Sequence, residues 1–232
     1  MTRYGMSTLD RIELLNALAP ELRNELSSQC SWLRFAANEL VVDYDDTSSD
    51  VYFVLSGQVR VLYRAVNGKE LILGELGAGS LFGEIAALDE RPRSANVTTL
   101  APCEMCLMPA ATFVGLLDRA PELKAHLLRL LAGRIRDLNA RLAEYGFLQA
   151  RHRLYAELLR LSRPRKGHDG QRLISPPPFQ HDLANRVGTR REVVSRELTT
   201  LARQGLVERT RGALVLVDPG ELNRRISAAL DS

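Results

Sequence analysis

The sequence predicts an α+β protein in three parts: an N-terminal β-roll, a long helix and a C-terminal winged helix-turn-helix. Three observations carry that prediction. Short runs of β-branched and aromatic residues, punctuated by glycine, occupy the stretch from about Ser31 to Pro109. A heptad series of apolar residues follows Pro121. Near the C-terminus Ala184, Gly188 and Val194 stand at offsets of 4 and 6, the spacing a helix-turn-helix requires. The expected domain limits are 1–118 for the roll, 119–149 for the long helix and hinge, and 150–232 for the winged unit.

Taken in order, Leu9, Ile12, Leu15, Leu18, Leu22 and Leu26 repeat at helical spacing and predict one helix over 8–28. Val51-Tyr52-Phe53-Val54-Leu55, Val59-Arg60-Val61-Leu62-Tyr63 and Leu71-Ile72-Leu73 read as strands. Asn67-Gly68 between two of them signals a type I′ hairpin. The glycines of Gly74-Glu75-Leu76-Gly77-Ala78-Gly79 predict a turn between strands. Many short strands at regular spacing argue for a roll closed on itself. Beyond Pro121, Leu128, Leu131, Ile135, Leu138, Leu142 and Tyr145 form a narrow a/d seam, which suits a parallel two-stranded coiled coil and hence a homodimer. Gly146 marks the helix end or a hinge near Phe147. Arg163-Pro164-Arg165-Lys166-Gly167 and Pro176-Pro177-Pro178 are breakers, and 161–178 reads as a loop inside the last domain.

From Gln180 to Leu201, Ala184 is the small residue where two helices cross, Gly188 makes the tight turn and Val194 packs the second helix. Leu183, Val187 and Leu198 fill the apolar positions around them. Thr189 and Glu192 have the spacing of a capping box opening the second helix. Its exposed face carries Arg190, Arg191, Glu192, Ser195 and Arg196. Arginine is the bidentate reader of guanine, and glutamate accepts from cytosine. Base contacts concentrate in the first turns of such a helix, with Arg190 better suited to a phosphate. Residues 206–209 and 213–217 flank Thr210-Arg211-Gly212 as a hairpin wing, with Arg211 at its tip for the duplex backbone.

Charge supports that division. The net charge is +3, but residues 151–232 carry +7 and residues 1–150 carry −4, which points to nucleic acid at one end only. No apolar run is long enough to span a membrane, and the first ten residues lack the pattern of a signal peptide. Three cysteines do not make a disulfide framework, and a reducing, cytoplasmic setting is expected. Cys103 and Cys106 form a CxxC without ligand partners and read as small apolar strand residues.

Inside the roll, Leu81-Phe82-Gly83-Glu84-Ile85-Ala86-Ala87-Leu88 precedes Arg91-Pro92-Arg93-Ser94-Ala95. Gly83 permits close approach of the main chain to a ligand. Glu84 can accept from a sugar hydroxyl, Arg93 can meet a phosphate with a bidentate fork, and Ser94 adds a neutral donor. Singly, Glu84 and Arg93 could pair with each other and Gly83 could only turn the chain. Together they describe a site for a cyclic nucleotide.

This order, FGE, small apolar residues and then PRSA, resembles the phosphate-binding cassette of cyclic-nucleotide-binding β-rolls. With the seam and the winged helix-turn-helix, nearly the whole chain resembles the CRP/FNR family of bacterial transcription regulators. The resemblance implies that Glu84 meets the ribose 2′-hydroxyl and that Arg93 and Ser94 meet the cyclic phosphate, with the main chain of Gly83, Ile85 and Ala86 lining the cradle. It implies cAMP or cGMP as allosteric effector, no metal, and double-stranded DNA with a pseudo-palindromic operator, a second copy and RNA polymerase as partners. In Arg191-Glu192-Val193-Val194-Ser195-Arg196, Arg191, Glu192 and Arg196 match the CRP type of base reader, and Glu192, Ser195 and Arg196 match the FNR type. Leu138 and Asn139 hold the place where CRP-type members carry a Thr-Ser pair against the adenine. Leu138 cannot hydrogen-bond to a base and Asn139 can, so cAMP is favoured and cGMP stays open. Two alternatives also stand. One is a regulator of this fold that answers another ligand or a redox signal, or no effector at all. The other is a cupin-type enzyme, which the placing of His126, His152, His168 and His181 outside the roll argues against.

Overall fold

Pro20 decides the first element. The computed structural model describes residues 9–16 and 18–231, so Thr8, within the expected helix 8–28, lies outside the described residues. In place of one helix, Leu9–Arg11 and Glu13–Leu15 form single 3-10 turns and α1 spans only Pro20–Ser27. A residue before proline is pushed out of the α region, and Ala19 accordingly has ψ 141°. The apolar spacing still serves the core: Leu9, Ile12, Leu15 and Leu26 are buried with Phe53, Phe113 and Leu116.

The roll comprises β1 (Ser31–Phe35), β2 (Leu40–Val42), β3 (Val51–Ser56), β4 (Gln58–Arg64), β5 (Glu70–Gly77), β6 (Leu81–Phe82), β7 (Asn96–Thr99) and β8 (Cys103–Met108). They pair antiparallel in two four-stranded sheets, ordered β1-β8-β3-β6 and β2-β7-β4-β5. Two expectations need correction. The β4–β5 turn is no type I′ hairpin, because Gly68 has positive φ (78°) and Asn67 does not. The Gly68 amide donates to the Ala65 carbonyl (2.9 Å), and a three-residue loop with glycine in the left-handed position closes the hairpin. Of the glycines after Leu73 only Gly79 lies in the turn: β5 continues to Gly77, and the chain reverses at Ala78-Gly79. The register slips beside Gly74, where Val61 faces Gly74 and Leu62 faces Ile72, so that glycine sits at a bulge.

Helices α2 (Glu84–Asp89), α3 (Ala110–Arg119) and α4 (Pro121–Phe147) follow or interrupt the strands. The chain divides inside α4 into two units, one through Ala132 and one from Gly133. Along α4, Leu128, Ile135, Leu138 and Leu142 are 62, 58, 53 and 69% exposed, while Leu131 packs against the roll core. Tyr145, at the last seam position, is 38% exposed and carries Arg153 over its ring.

The second unit adds α5 (Ala150–Leu161), β9 (Arg163–Pro164), β10 (Arg172–Ile174), α6 (Gln180–Val187), α7 (Arg191–Arg203), β11 (Val207–Arg209), β12 (Leu214–Leu216) and α8 (Pro219–Leu230). Stretch 161–178 is therefore not wholly a loop. Leu173 and Ile174 pair with Val215 and Leu214, extending the sheet to the order β11-β12-β10-β9. Helix α8, absent from the sequence reading, starts with Asp218 accepting from the Glu221 amide (2.9 Å) and Pro219 in the first turn, a start signal visible in Asp218-Pro219-Gly220-Glu221. Among the described residues no helix is long and apolar enough to cross a membrane.

Candidate functional site

The first candidate site begins where β6 ends. Gly83 has φ 85° and caps α2, placing Glu84 in its first turn with 1% exposure. The short helix stops at Glu90, itself left-handed, and the chain returns through Arg91-Pro92 to Arg93. There the backbone is clamped to the 43–50 loop: the Arg93 amide donates to Asp46 O (2.8 Å) and the Asp45 amide to Arg93 O (2.9 Å).

The Arg93 guanidinium is buried and aims back into this turn. Its Nε donates to Ser48 Oγ (3.0 Å), Nη1 to Gly83 O (3.0 Å) and Nη2 to Asp50 O (2.8 Å). Among the described residues no carboxylate forms an ion pair with it. A cation withdrawn from water and met only by neutral oxygens lacks its usual compensation, so the cradle favours an anion. Gly83 is required twice over: for its φ, and because a Cβ would come within 2.7 Å of both Arg93 Nη1 and Asp50 O. The structure thus brings Gly83, Glu84 and Arg93 together. Ala86 is buried, whereas Ile85 and Ser94 face solvent. Leu138 and Asn139 are exposed on α4 in the second unit. Sequence reasoning missed Ser48 and the Asp45, Asp46 and Asp50 backbone groups, although Asp43-Tyr44-Asp45-Asp46-Thr47-Ser48-Ser49-Asp50 is dense in turn formers.

The cysteines divide differently from their spacing. Three residues apart on one strand, Cys103 and Cys106 face opposite sides of β8 and belong to different core clusters. Cys103 donates to Ala101 O (3.1 Å). The Cys106 thiol partners Cys30, and that hydrogen bond together with burial pushes its pKa far up, while the same bond lowers that of Cys30. Among the described residues no group of three or more metal-binding side chains gathers.

The second candidate site is the helix-turn-helix. Ala184 and Val194 are buried, and Gly188 ends α6 with φ 61°. The expected capping box does not form: α7 starts at Arg191, its N-cap is Arg190, and no side chain caps it. Thr189 is committed elsewhere, its amide closing α6 by donating to Ala184 O (3.0 Å), so the second helix begins one residue later. Arg190, Arg191, Glu192 and Arg196 are exposed and, among the described residues, their side chains have no hydrogen-bond or ion-pair partner. Ser195 is half-buried. Arg211 is exposed at the tip of the β11–β12 hairpin, which closes through Thr210 N to Ala213 O (2.9 Å). Four unpaired side chains at the start of one helix, three of them cationic, can read base edges and phosphates.

Residues 32–120 match the family model described as the cyclic nucleotide-binding domain, and 152–225 that of the Crp-like helix-turn-helix domain. The chain is 33% identical over 221 residues to the cyclic AMP receptor protein of Thermus thermophilus, covering 94% of each. It is 27% identical to a CRP-like cAMP-activated global transcriptional regulator of Mycobacterium tuberculosis, covering 94% of this chain and 97% of that one. A solved CooA mutant from Carboxydothermus hydrogenoformans superposes with TM-score 0.78 over 97% of this chain and 98% of the other; at 19% identity, this is a likeness of fold.

Proposed function

The chain belongs to the CRP/FNR family of transcription regulators and is not an enzyme, and from that premise we propose a cytoplasmic homodimer whose binding to operator DNA is controlled by a cyclic nucleotide, cAMP in preference to cGMP. The observation that carries the effector half is Arg93, a buried cation whose hydrogen bonds all go to neutral oxygens beside the turn of Gly83 and Glu84. In this reading the cyclic phosphate lies against Arg93, Ser94 and the main chain of Gly83, Ile85 and Ala86, while Glu84 accepts from the ribose. Asn139, next to Leu138 on α4, reads the purine edge. The relatives named for cAMP support the choice of base. The working division stays 1–118 for the effector domain, 119–149 for the dimer helix and 150–232 for the DNA reader.

The dimer half of the proposal rests on the stripe of Leu128, Ile135, Leu138 and Leu142. Apolar side chains at successive heptad positions that remain mostly exposed on one chain are the seam a second copy covers. Each copy then presents α7 to one half of a pseudo-palindrome, with Thr189 and Arg190 toward the backbone, Arg191, Glu192, Ser195 and Arg196 toward bases, and Arg211 toward the neighbouring phosphate. Effector binding shifts the dimer only as far as it prefers the DNA-binding arrangement. RNA polymerase is the partner that turns occupancy into regulation.

Calorimetric titration of the whole protein with cAMP and with cGMP tests the effector reading. Tighter binding of cAMP, lost in Arg93→Ala, is expected; binding of neither would remove it. Leu138, which cannot hydrogen-bond to a base, favours the second reading of a different ligand, and that same titration separates the two.

A further inference from the structure

The last two turns of α4 are built into the DNA-reading unit. The final carbonyls of a helix have no partner within it, and at the end of α6 two of them take side chains from outside. Arg186 O accepts from the Tyr145 hydroxyl (3.4 Å), and Val187 O accepts from Arg153 Nε (3.0 Å). The Arg153 guanidinium lies 4.7 Å from the centre of the Tyr145 ring and reaches on to Leu148 O (2.7 Å). The ring itself rests on the tight turn: a Cβ added to Gly188 would stand 2.7 Å from Tyr145 Cε1 and 2.9 Å from its hydroxyl. Burial raises the Tyr145 pKa above its ordinary 10, so the phenol stays a donor at neutral pH.

Beside this wedge a buried carboxylate gathers the same elements. Glu157 of α5 is 1% exposed and pairs with Arg160, with Arg186 of α6 (3.4 Å) and with Arg141 of α4 (3.8 Å). Arg160 bridges on to Glu144 of α4 (2.6 Å). Breaking one member of such a buried set leaves the others uncompensated. Arg141, Glu144 and Tyr145 therefore fasten α4 to α5 and α6, whereas Phe147, near the expected hinge, is 75% exposed.

We infer that Tyr145 is a positioning residue for DNA recognition: wedged on Gly188, it sets the turn from which α7 starts, so the end of α4 and the helix-turn-helix move as one body. Recognition helix α7 begins three residues after Gly188, and bidentate contact with a base edge tolerates little displacement at its root. The inference rests on the DNA-binding reading, and only its effector arm rests on the cyclic nucleotide.

A double-mutant cycle on the full-length protein tests it. The probe is a duplex enriched from a random-sequence pool by the unmodified protein, selected with and without cAMP. Gly188→Asn is chosen because asparagine tolerates positive φ, so its main effect is to expel the Tyr145 ring. Tyr145→Ala and Gly188→Asn should each weaken binding about 10-fold, and the double variant should be no more than about 3-fold weaker than either, since both remove one contact. Tyr145→Phe, which keeps the ring, should stay within about 3-fold of the unmodified protein. The discrimination between the enriched duplex and one with a transversion in its half-site should fall in Tyr145→Ala, a change that mere loss of stability would not produce. Penalties that multiply, or discrimination left intact, would overturn the proposal. An enriched duplex indifferent to cAMP would sink the effector reading alone, and the cycle would still decide the role of Tyr145.

Discussion

Replacing Arg93 with alanine removes three hydrogen bonds from one charged donor, to Ser48 Oγ, Gly83 O and Asp50 O. A bond to a charged group contributes about 1.5–3 kcal/mol, and the acceptors left behind lie in a half-buried turn. Relaxation and water entry recover part of that, so the roll should lose about 3–5 kcal/mol. For a domain near 100 residues each kcal/mol moves the midpoint by about 4–8 °C, so unfolding should come at least about 12 °C earlier. The loss of ligand affinity is a separate quantity. A desolvated contact to the cyclic phosphate contributes about 2–4 kcal/mol, or roughly 30- to 1000-fold in Kd. Arg93→Lys separates the two effects, because it keeps the charge and loses the planar fork that reaches three oxygens at once. Differential scanning calorimetry gives the first quantity. Titration with cAMP, at a temperature where each variant is folded, gives the second. The expected order of affinity is the unmodified protein, then Lys, then Ala. A folded Arg93→Ala that bound cAMP undiminished would refute the assignment of this cradle to the phosphate.

Four further outcomes follow from the same geometry. Arg196→Ala should cost about 1–3 kcal/mol per half-site and relax preference at one base pair, and a uniform loss across sequences in a binding-site selection would count against α7 as the reading face. Arg211→Ala at the wing tip should weaken all duplexes alike and reduce the slope of log K against log salt by about one, as footprinting across salt concentrations can measure. Leu142→Glu, on a side chain 69% exposed in the single chain, should leave folding intact and shift the dimer to monomer in sedimentation equilibrium; an unchanged association constant would remove α4 as the seam. Burial, reinforced by the hydrogen bond to Glu197, holds the Tyr155 pKa up at about 12 against an ordinary 10. Its neutral form is thus favoured by the fold, and the stability it contributes is complete below pH 10 and lost as pH rises through 12. Chemical unfolding between those limits should show a steeper decline for the unmodified protein than for Tyr155→Phe.

What the chain states locally, its sequence determines alone. Gly83 and Gly188 sit where a left-handed residue is needed, a conformation most side chains oppose. The alternation of short β runs, the heptad spacing of α4 and the Ala184, Gly188, Val194 triplet were legible because they depend on neighbours within a few residues. The partners of those residues were not. Pro20 broke a helix that apolar spacing predicted, since backbone sterics outrank periodicity. Thr189 gives its amide to Ala184 O at the end of α6, so that amide is not free for the Glu192 carboxylate of a capping box. That Arg93 rests on Ser48 and Asp50, that Cys106 meets Cys30 instead of Cys103, and that the Tyr145 ring rests on Gly188 are contacts between segments 40 or more residues apart. Only tertiary structure could decide them, because a side chain's partner is set by which surfaces packing brings within a few ångströms, and spacing along the chain carries no record of that distance.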